Sequence, residues 1–296
     1  MSNFNCKYRD FFDRRRLLLR LACISVVVVV DSNVAFAQHA LDSLLPGHWM
    51  ELSLNTLNDV VATCDGGSTG CRWTGSTGPS SIMSAWCGGA FATAWGSSGG
   101  LIAYGGGHQD YFGNEVYIFD IETRLWQRLS DPYDDGVTNP TINACSSTGS
   151  YPDGSPCATH TYDGVDYHPA SNSFVVFNSE LDANGGSSSG YPFLFDLDSR
   201  SWRRGPKGSG SGIGPSSAYD PTRGILWLRP WAASSFRSFD PEANGGAGEW
   251  TQYGTTDYID IDATAAIDPI ADLYVMLDTR DASPAFRGLR PGLTHR

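Results

Sequence analysis

Positive charge is scarce in this chain, and lysine is scarcest. Past residue 37, Lys207 is the only lysine, and 14 basic side chains face 29 acidic ones, a net charge of −15. A surface that acidic repels nucleic acid and anionic membrane, so neither is expected as a partner. Long apolar runs are also missing. The longest uninterrupted one, Leu21 to Val30, has ten residues, against the roughly 20 that a spanning helix needs. There is no C-x-x-C pair and no His/Cys spacing of the kind that holds structural zinc, so no metal and no cofactor is assigned.

What the first 37 residues do contain is an export signal. Lys7, Arg9, Arg14, Arg15, Arg16 and Arg20 make a basic start, an apolar stretch follows, and Ala35-Phe36-Ala37 is an A-x-A cleavage site. The expectation is a secreted or periplasmic protein cut after Ala37, without a membrane anchor. Export permits disulfides. Cys64 and Cys71 bracket one Gly/Ser/Thr loop, and Cys145 and Cys157 bracket another. Those two pairings are expected among the possible ones. Cys87, in the apolar setting Ala85-Trp86-Cys87-Gly88, is left over as a buried free thiol.

The stretch Tyr104 to Leu129 states the architecture. An apolar strand, Leu101 to Tyr104, runs into Gly105-Gly106-Gly107 and a polar loop, His108 to Tyr111. Glycine suits a strand end that must turn or approach another backbone closely. Bulky residues then alternate through Val116 to Phe119, end in Asp120, and resume at Leu125 to Leu129 after a polar turn. Period-2 patterning predicts strands, here a three-strand meander, with a further strand expected over Ala85 to Thr93.

The ending of that meander recurs. Phe-Asp stands at 119/120, 195/196 and 239/240, followed by Trp126, Trp202 and Trp250. Upstream anchors recur too: His168-Pro169, Asp220-Pro221 and Asp268-Pro269, spaced 52 and 48 residues apart. Each precedes an apolar strand: Phe174 to Phe177, Ile225 to Leu228 and Leu273 to Leu277. A period near 50 with four strands per unit is a blade signature. The aspartates read as turn caps and the tryptophans as blade packing.

On these residues the chain resembles the kelch-repeat, galactose-oxidase-type β-propellers, and within them secreted bacterial kelch-motif proteins carrying Gly105 to His108, Asp110, Tyr111 and Gly113 to Tyr117. The resemblance covers about residues 83–280. It implies an all-β propeller of four-stranded antiparallel blades and no single activity. The expected organisation is a signal over 1–37, an N-terminal strand and loop segment over 38–82 with His48 to Leu52 as a lone strand, blades over 83–280, and an atypical tail over 281–296. The pattern supplies about 3.5 to 4 blades, and the chain is expected to be a piece of a larger ring.

Antiparallel connectivity sorts the loops. The loops joining second to third strands, and the crossovers between blades, share one rim. That rim carries His108, Asp110 and Tyr111, then His160 and Tyr162, then Arg229 and Trp231, then Arg280. His, Tyr, Trp and carboxylates suit a sugar site, so ligand contacts are expected from His108, Asp110, Tyr111, His160, Tyr162 and Trp231. The function expected is an exported binding or scaffold module for a polysaccharide or envelope glycan. One alternative is a carbohydrate-active enzyme, with lyase ahead of copper-radical oxidase. In the lyase, Arg229 or Arg280 would neutralise a uronate, and His108, Tyr111 or His160 would move the proton. Another is a platform for a protein partner. Asn114 and Glu115 are expected to order the glycine loop, and His168, on the opposite rim, to serve a turn.

Overall fold

The computed structural model describes residues 44–62, 75–107, 110–134, 145–177, 180–181, 189–208, 214–230, 235–255, 263–278 and 285–289. The chain divides into two units, 1–52 and 53–296. In the first, residues 44–52 are exposed or half-buried and carry no helix or strand. The strand expected over His48 to Leu52 is therefore not formed: a lone run of five residues is too short to hold itself extended.

The second unit is a four-blade β-propeller-like arrangement. Blade one is the meander β1 (Gly89–Ala92), β2 (Gly100–Ala103), β3 (Tyr117–Asp120) and β4 (Leu125–Arg128). A two-residue strand, β5 (Thr159–His160), comes next. Blade two is β6 (Val165–His168), β7 (Ser173–Phe177), β9 (Pro192–Asp196) and β10 (Ser201–Arg204), with β8 (Glu180–Leu181) pairing back to β5. Blade three is β11 (Ser216–Asp220), β12 (Ile225–Arg229), β13 (Ser235–Asp240) and β14 (Glu249–Thr255). Blade four shows β15 (Thr264–Asp268), β16 (Leu273–Asp278) and β17 (Ala285–Leu289). The boundary expected at residue 280 falls inside this sheet, because β17 pairs with β16 along its whole length.

Every blade pairs its strands antiparallel, and the first strands stand side by side in the order β1, β6, β11, β15. Middle strands are consequently covered on both faces. In β7, Phe174 and Val176 pack against Ile102, Tyr104 and Ile118 of blade one. Val175 and Phe177 point the other way, to Leu226, Leu228 and Phe239 of blade three. All five residues of β7 are buried, which is why Phe174 to Phe177 reads as an unbroken apolar run. Each large side chain buried this way contributes roughly 1.5–3 kcal/mol. Ala218, Trp227 and Phe236 meet Tyr274 and Met276 between blades three and four.

The Phe-Asp and Trp repeat has a simple geometric meaning. Phe119 stands opposite Trp126, Phe195 opposite Trp202, and Phe239 opposite Trp250. The ring centroids lie 5.4, 5.0 and 5.0 Å apart. Cross-strand aromatic pairs of this kind fix the register of the last two strands in blades one to three. The open side of blade one is covered by Leu57, Val60 and Val61. Asn55 clamps the edge strand there: its Oδ1 accepts from the Trp126 N–H at 2.7 Å and its Nδ2 donates to the Trp126 carbonyl at 3.1 Å.

Candidate functional site

The glycine loop after β2 fits because it has no side chains. Gly105 and Gly106 hold φ values of 128° and 100°, a region that side chains avoid. A Cβ on Gly105 would lie 2.9 Å from Cys87 Sγ. On Gly107 it would strike the Thr159 backbone. The loop is therefore pressed between the Ser81–Cys87 segment and β5, and the Gly107 N–H donates to the Thr159 carbonyl at 3.2 Å. This contact carries the loop of blade one to the crossover that opens blade two.

That junction brings Asp110 to His160 across 50 residues of sequence. His160 Nε2 lies 3.1 Å from Asp110 Oδ2, with side-chain exposures of 3% and 24%. Thr77 holds the same carboxylate from the other side: its hydroxyl donates to Oδ1 at 2.8 Å, and the N–H groups of Thr77 and Gly78 donate to the Asp110 carbonyl. Two aromatic rings flank the imidazole. Trp86 lies 5.0 Å away, tilted by 41°, and Tyr162 lies 6.1 Å away, nearly perpendicular. The Tyr162 N–H donates to the Trp86 carbonyl at 2.8 Å. Trp86 and Tyr162 have φ values of 47° and 50°, where bulky residues are outliers. The break at Trp86 is also why β1 starts at Gly89 rather than at Ala85.

Beneath the rim is a buried polar layer. Tyr111 and Tyr117 both donate to Glu115 Oε1, at 2.5 and 3.0 Å. Burial raises the Glu115 carboxyl above its ordinary range, against the two phenols that favour its charged form. Burial and the neighbouring Glu115 charge likewise raise both phenols. Asn114 Nδ2 donates to Ser155 Oγ and to the Pro156 carbonyl, both at 2.9 Å, and its Oδ1 accepts from the Tyr133 N–H. Ser155 and Pro156 lie in the loop closed by the Cys145–Cys157 disulfide. Tyr133 and Tyr151 stack beside it with centroids 4.5 Å apart. The disulfide loop thus buttresses the glycine loop from outside the blade. Cys87 is a free thiol donating to the Ser81 and Ala85 carbonyls, and burial pushes it up to about 12.

Of the residues picked from sequence, the structure brings together Asp110, His160 and Tyr162. Tyr111 is fully buried, its hydroxyl engaged by Glu115. Arg229 is in blade three, 2% exposed, with its guanidinium on the Pro230 carbonyl and its charge acting on Tyr274. His108, Trp231 and Arg280 lie outside the described residues, as do Cys64 and Cys71 with their expected pairing. His168 is buried at the end of β6, its ring joining Ser171 Oγ to the Gly224 carbonyl of the next blade. Trp86, Thr77 and Asp163 were not anticipated. Among the described residues no group of His, Cys, Asp and Glu is arranged to hold a metal, and no helix is long and apolar enough to cross a membrane.

No known family profile matches the chain, and no curated protein does. Among solved structures, it is similar to an auxiliary nutrient binding protein from Bacteroides ovatus, at 13% identity over 63% of this chain and 35% of that one, with a TM-score of 0.36. A protein of the same description from Bacteroides thetaiotaomicron matches at 9% identity over the same shares, TM-score 0.36. A protein of unknown function from Bacteroides thetaiotaomicron matches at 12% identity over 68% of this chain and 40% of that one, TM-score 0.37. The chain spans 35–40% of the length of these relatives. At such scores the likeness carries no argument about what the protein binds.

Proposed function

We propose that this protein is an exported binding module whose glycine-loop rim takes a carbohydrate or cell-envelope material. The observation that carries the reading is the Asp110–His160 pair set beside the exposed Trp86 ring. It joins an accessible carboxylate, a fixed imidazole and an open aromatic face in one place, with the backbone beneath locked by glycines. The Cys145–Cys157 disulfide and the A-x-A site before Gln38 support an oxidising compartment outside the cytoplasm.

The test uses the disulfide-intact chain from Gln38 to Arg296, a glycan array and isolated envelope fractions. Binding without product is expected, and Asp110→Ala is expected to weaken it tenfold or more while the fold, read by circular dichroism, persists. A glycan-derived product whose formation requires His160 would replace the module with an enzyme. Failure of the folded protein to retain any glycan or envelope fraction would reject both, and leave the protein-partner platform.

A further inference from the structure

The geometry points to Trp86 as the stacking platform for an uncharged pyranose glycan, with the Asp110 carboxylate as acceptor for its hydroxyls. This rests on the binding-module reading and gives it a ligand class.

Trp86 is placed at a conformational cost. Its φ of 47° lies in the left-handed region, and so does that of Tyr162, where a bulky side chain is disfavoured. The two backbones are tied by the Tyr162 N–H on the Trp86 carbonyl, and the next link, from the Gly88 N–H to Thr161 Oγ1 at 2.7 Å, repeats the tie. Gly88 has no side chain because a Cβ there would strike the Tyr162 carbonyl. Four residues thus hold one indole in an orientation that the chain would not otherwise adopt. The indole does not repay this by filling the core: Trp86 is 54% exposed. On its inner side it meets the His160 ring, 5.0 Å away between centroids. A strained backbone that presents an aromatic face to solvent is a ligand-contact geometry.

The polar groups beside it choose the ligand's charge. Asp110 keeps 24% of its side chain accessible, and the hydroxyls of Ser76 and Thr77 lie 3.5 and 2.8 Å from its Oδ1. These groups suit the alternating hydroxyls of a pyranose, whose C–H face lies on the indole. A uronate at the same place would set a second carboxylate against Asp110, on a chain whose residues past 37 carry a net charge of −15. Arg229, the described cation expected to neutralise a uronate, is buried on the Pro230 carbonyl instead.

Affinity electrophoresis of residues 38–296 in gels containing neutral glucans, mannans or galactans, and in gels containing polygalacturonate, alginate or chitosan, separates the classes. Retardation by at least one neutral polymer and none by the uronates is expected. The decisive variant is Trp86→Gly. Glycine accepts the left-handed φ without strain, so its melting temperature is expected to be no lower than that of Trp86→Ala. Its retardation is expected to fall about tenfold or more, the change that a 1.4 kcal/mol contact gives. Trp86→Phe, which keeps a ring, is expected to retain most of the binding. Retention by uronate or chitosan alone overturns the inference, as does undiminished binding by Trp86→Gly. In either case the binding module stands. Absence of binding to every polymer by the folded wild-type chain also overturns the inference, and leaves the module reading to the envelope fractions.

Discussion

Aspartates on the two rims of the molecule do different kinds of work. On the rim of tight turns they act locally and alike. Asp120 Oδ1 accepts from the Thr123 N–H, Asp196 from Asp198 and Ser199, Asp220 from Thr222 and Arg223, Asp240 from Glu242 and Ala243, and Asp268 from Ile270 and Ala271. The fourth residue on is left-handed in all five turns: Arg124, Arg200, Gly224, Asn244 and Asp272. On the rim of long loops the carboxylates reach across the fold. Asp110 meets residues 33 and 50 positions away, and Asp163 meets Thr264 Oγ1 at 3.0 Å and the Ala265 N–H at 2.8 Å, residues 101 and 102 away. Its carbonyl also accepts from the Ser217 N–H. One residue before β6 therefore ties blade two to blades three and four. Repeated local aspartates build the blades; unrepeated distant ones join blades and furnish the candidate site.

The sharpest break in that comparison is at Asp220, a turn aspartate that also serves the core. It is fully buried and accepts from the Trp227 indole N–H at 3.0 Å and from Arg223 Nη1 at 2.8 Å. Asp220→Ala orphans a buried indole donor and takes one of two carboxylates from Arg223, which Asp272 still holds, and should cost about 3 kcal/mol in urea unfolding. Burial opposes its charge, yet the Trp227 and Arg223 donors outweigh burial and hold the carboxyl below its ordinary range. Its contribution is thus present above the unfolded value and disappears as pH falls through the folded one. The variant should show a shallower acid limb than the wild type.

Asp163 predicts the opposite limb. Burial pushes it up to about 8, and burial pushes Asp166 up to about 7. A folded-state value above the unfolded one means that the native chain holds the extra proton, so stability falls as pH rises from near 4 through about 8. The groups that act on the pair include each other, Tyr274, Tyr219 and the Thr264 hydroxyl, with Arg229 beside Tyr274. Asp163→Asn keeps an acceptor for the Ala265 N–H and never ionises. Between pH 6 and pH 9 it should lose roughly 2 kcal/mol less than the wild type. Equal slopes in the two proteins would show that Asp163 does not carry the alkaline limb.

The same division explains what the sequence disclosed. Blade existence was legible because its signals are local: Phe119-Asp120 and Trp126 lie within eight residues, and their cross-strand pairing follows from a four-residue turn. The glycine loop was legible because three successive glycines have few other uses. Trp86 was not, since its left-handed backbone stands at a residue type that gives no hint of it. Asp163 was hidden because its partners lie about a hundred residues away. β17 escaped because it lacks the Phe-Asp ending and the Trp that marked the other blades; among the described residues it pairs with β16.

The smallest effect belongs to the plainest turn. Arg200 ends the turn between β9 and β10 at φ 54°, exposed, with its N–H donating to the Asp196 carbonyl at 2.9 Å. Gly224 fills the corresponding position after Asp220, with its N–H on the Asp220 carbonyl at 2.8 Å and φ 68°. Blade two thus holds an arginine where blade three shows that glycine fits. Left-handed backbone costs a side-chain-bearing residue about 1–2 kcal/mol, and glycine gives part of that back through the greater freedom of its unfolded chain. Arg200→Gly should therefore raise stability by about 0.5–1 kcal/mol, read as an increase in the urea midpoint with an unchanged slope. The turn and loop rims should then separate cleanly: a glycine that stabilises at position 200 leaves glycan retention unaltered, whereas a glycine at position 86 lowers it about tenfold or more.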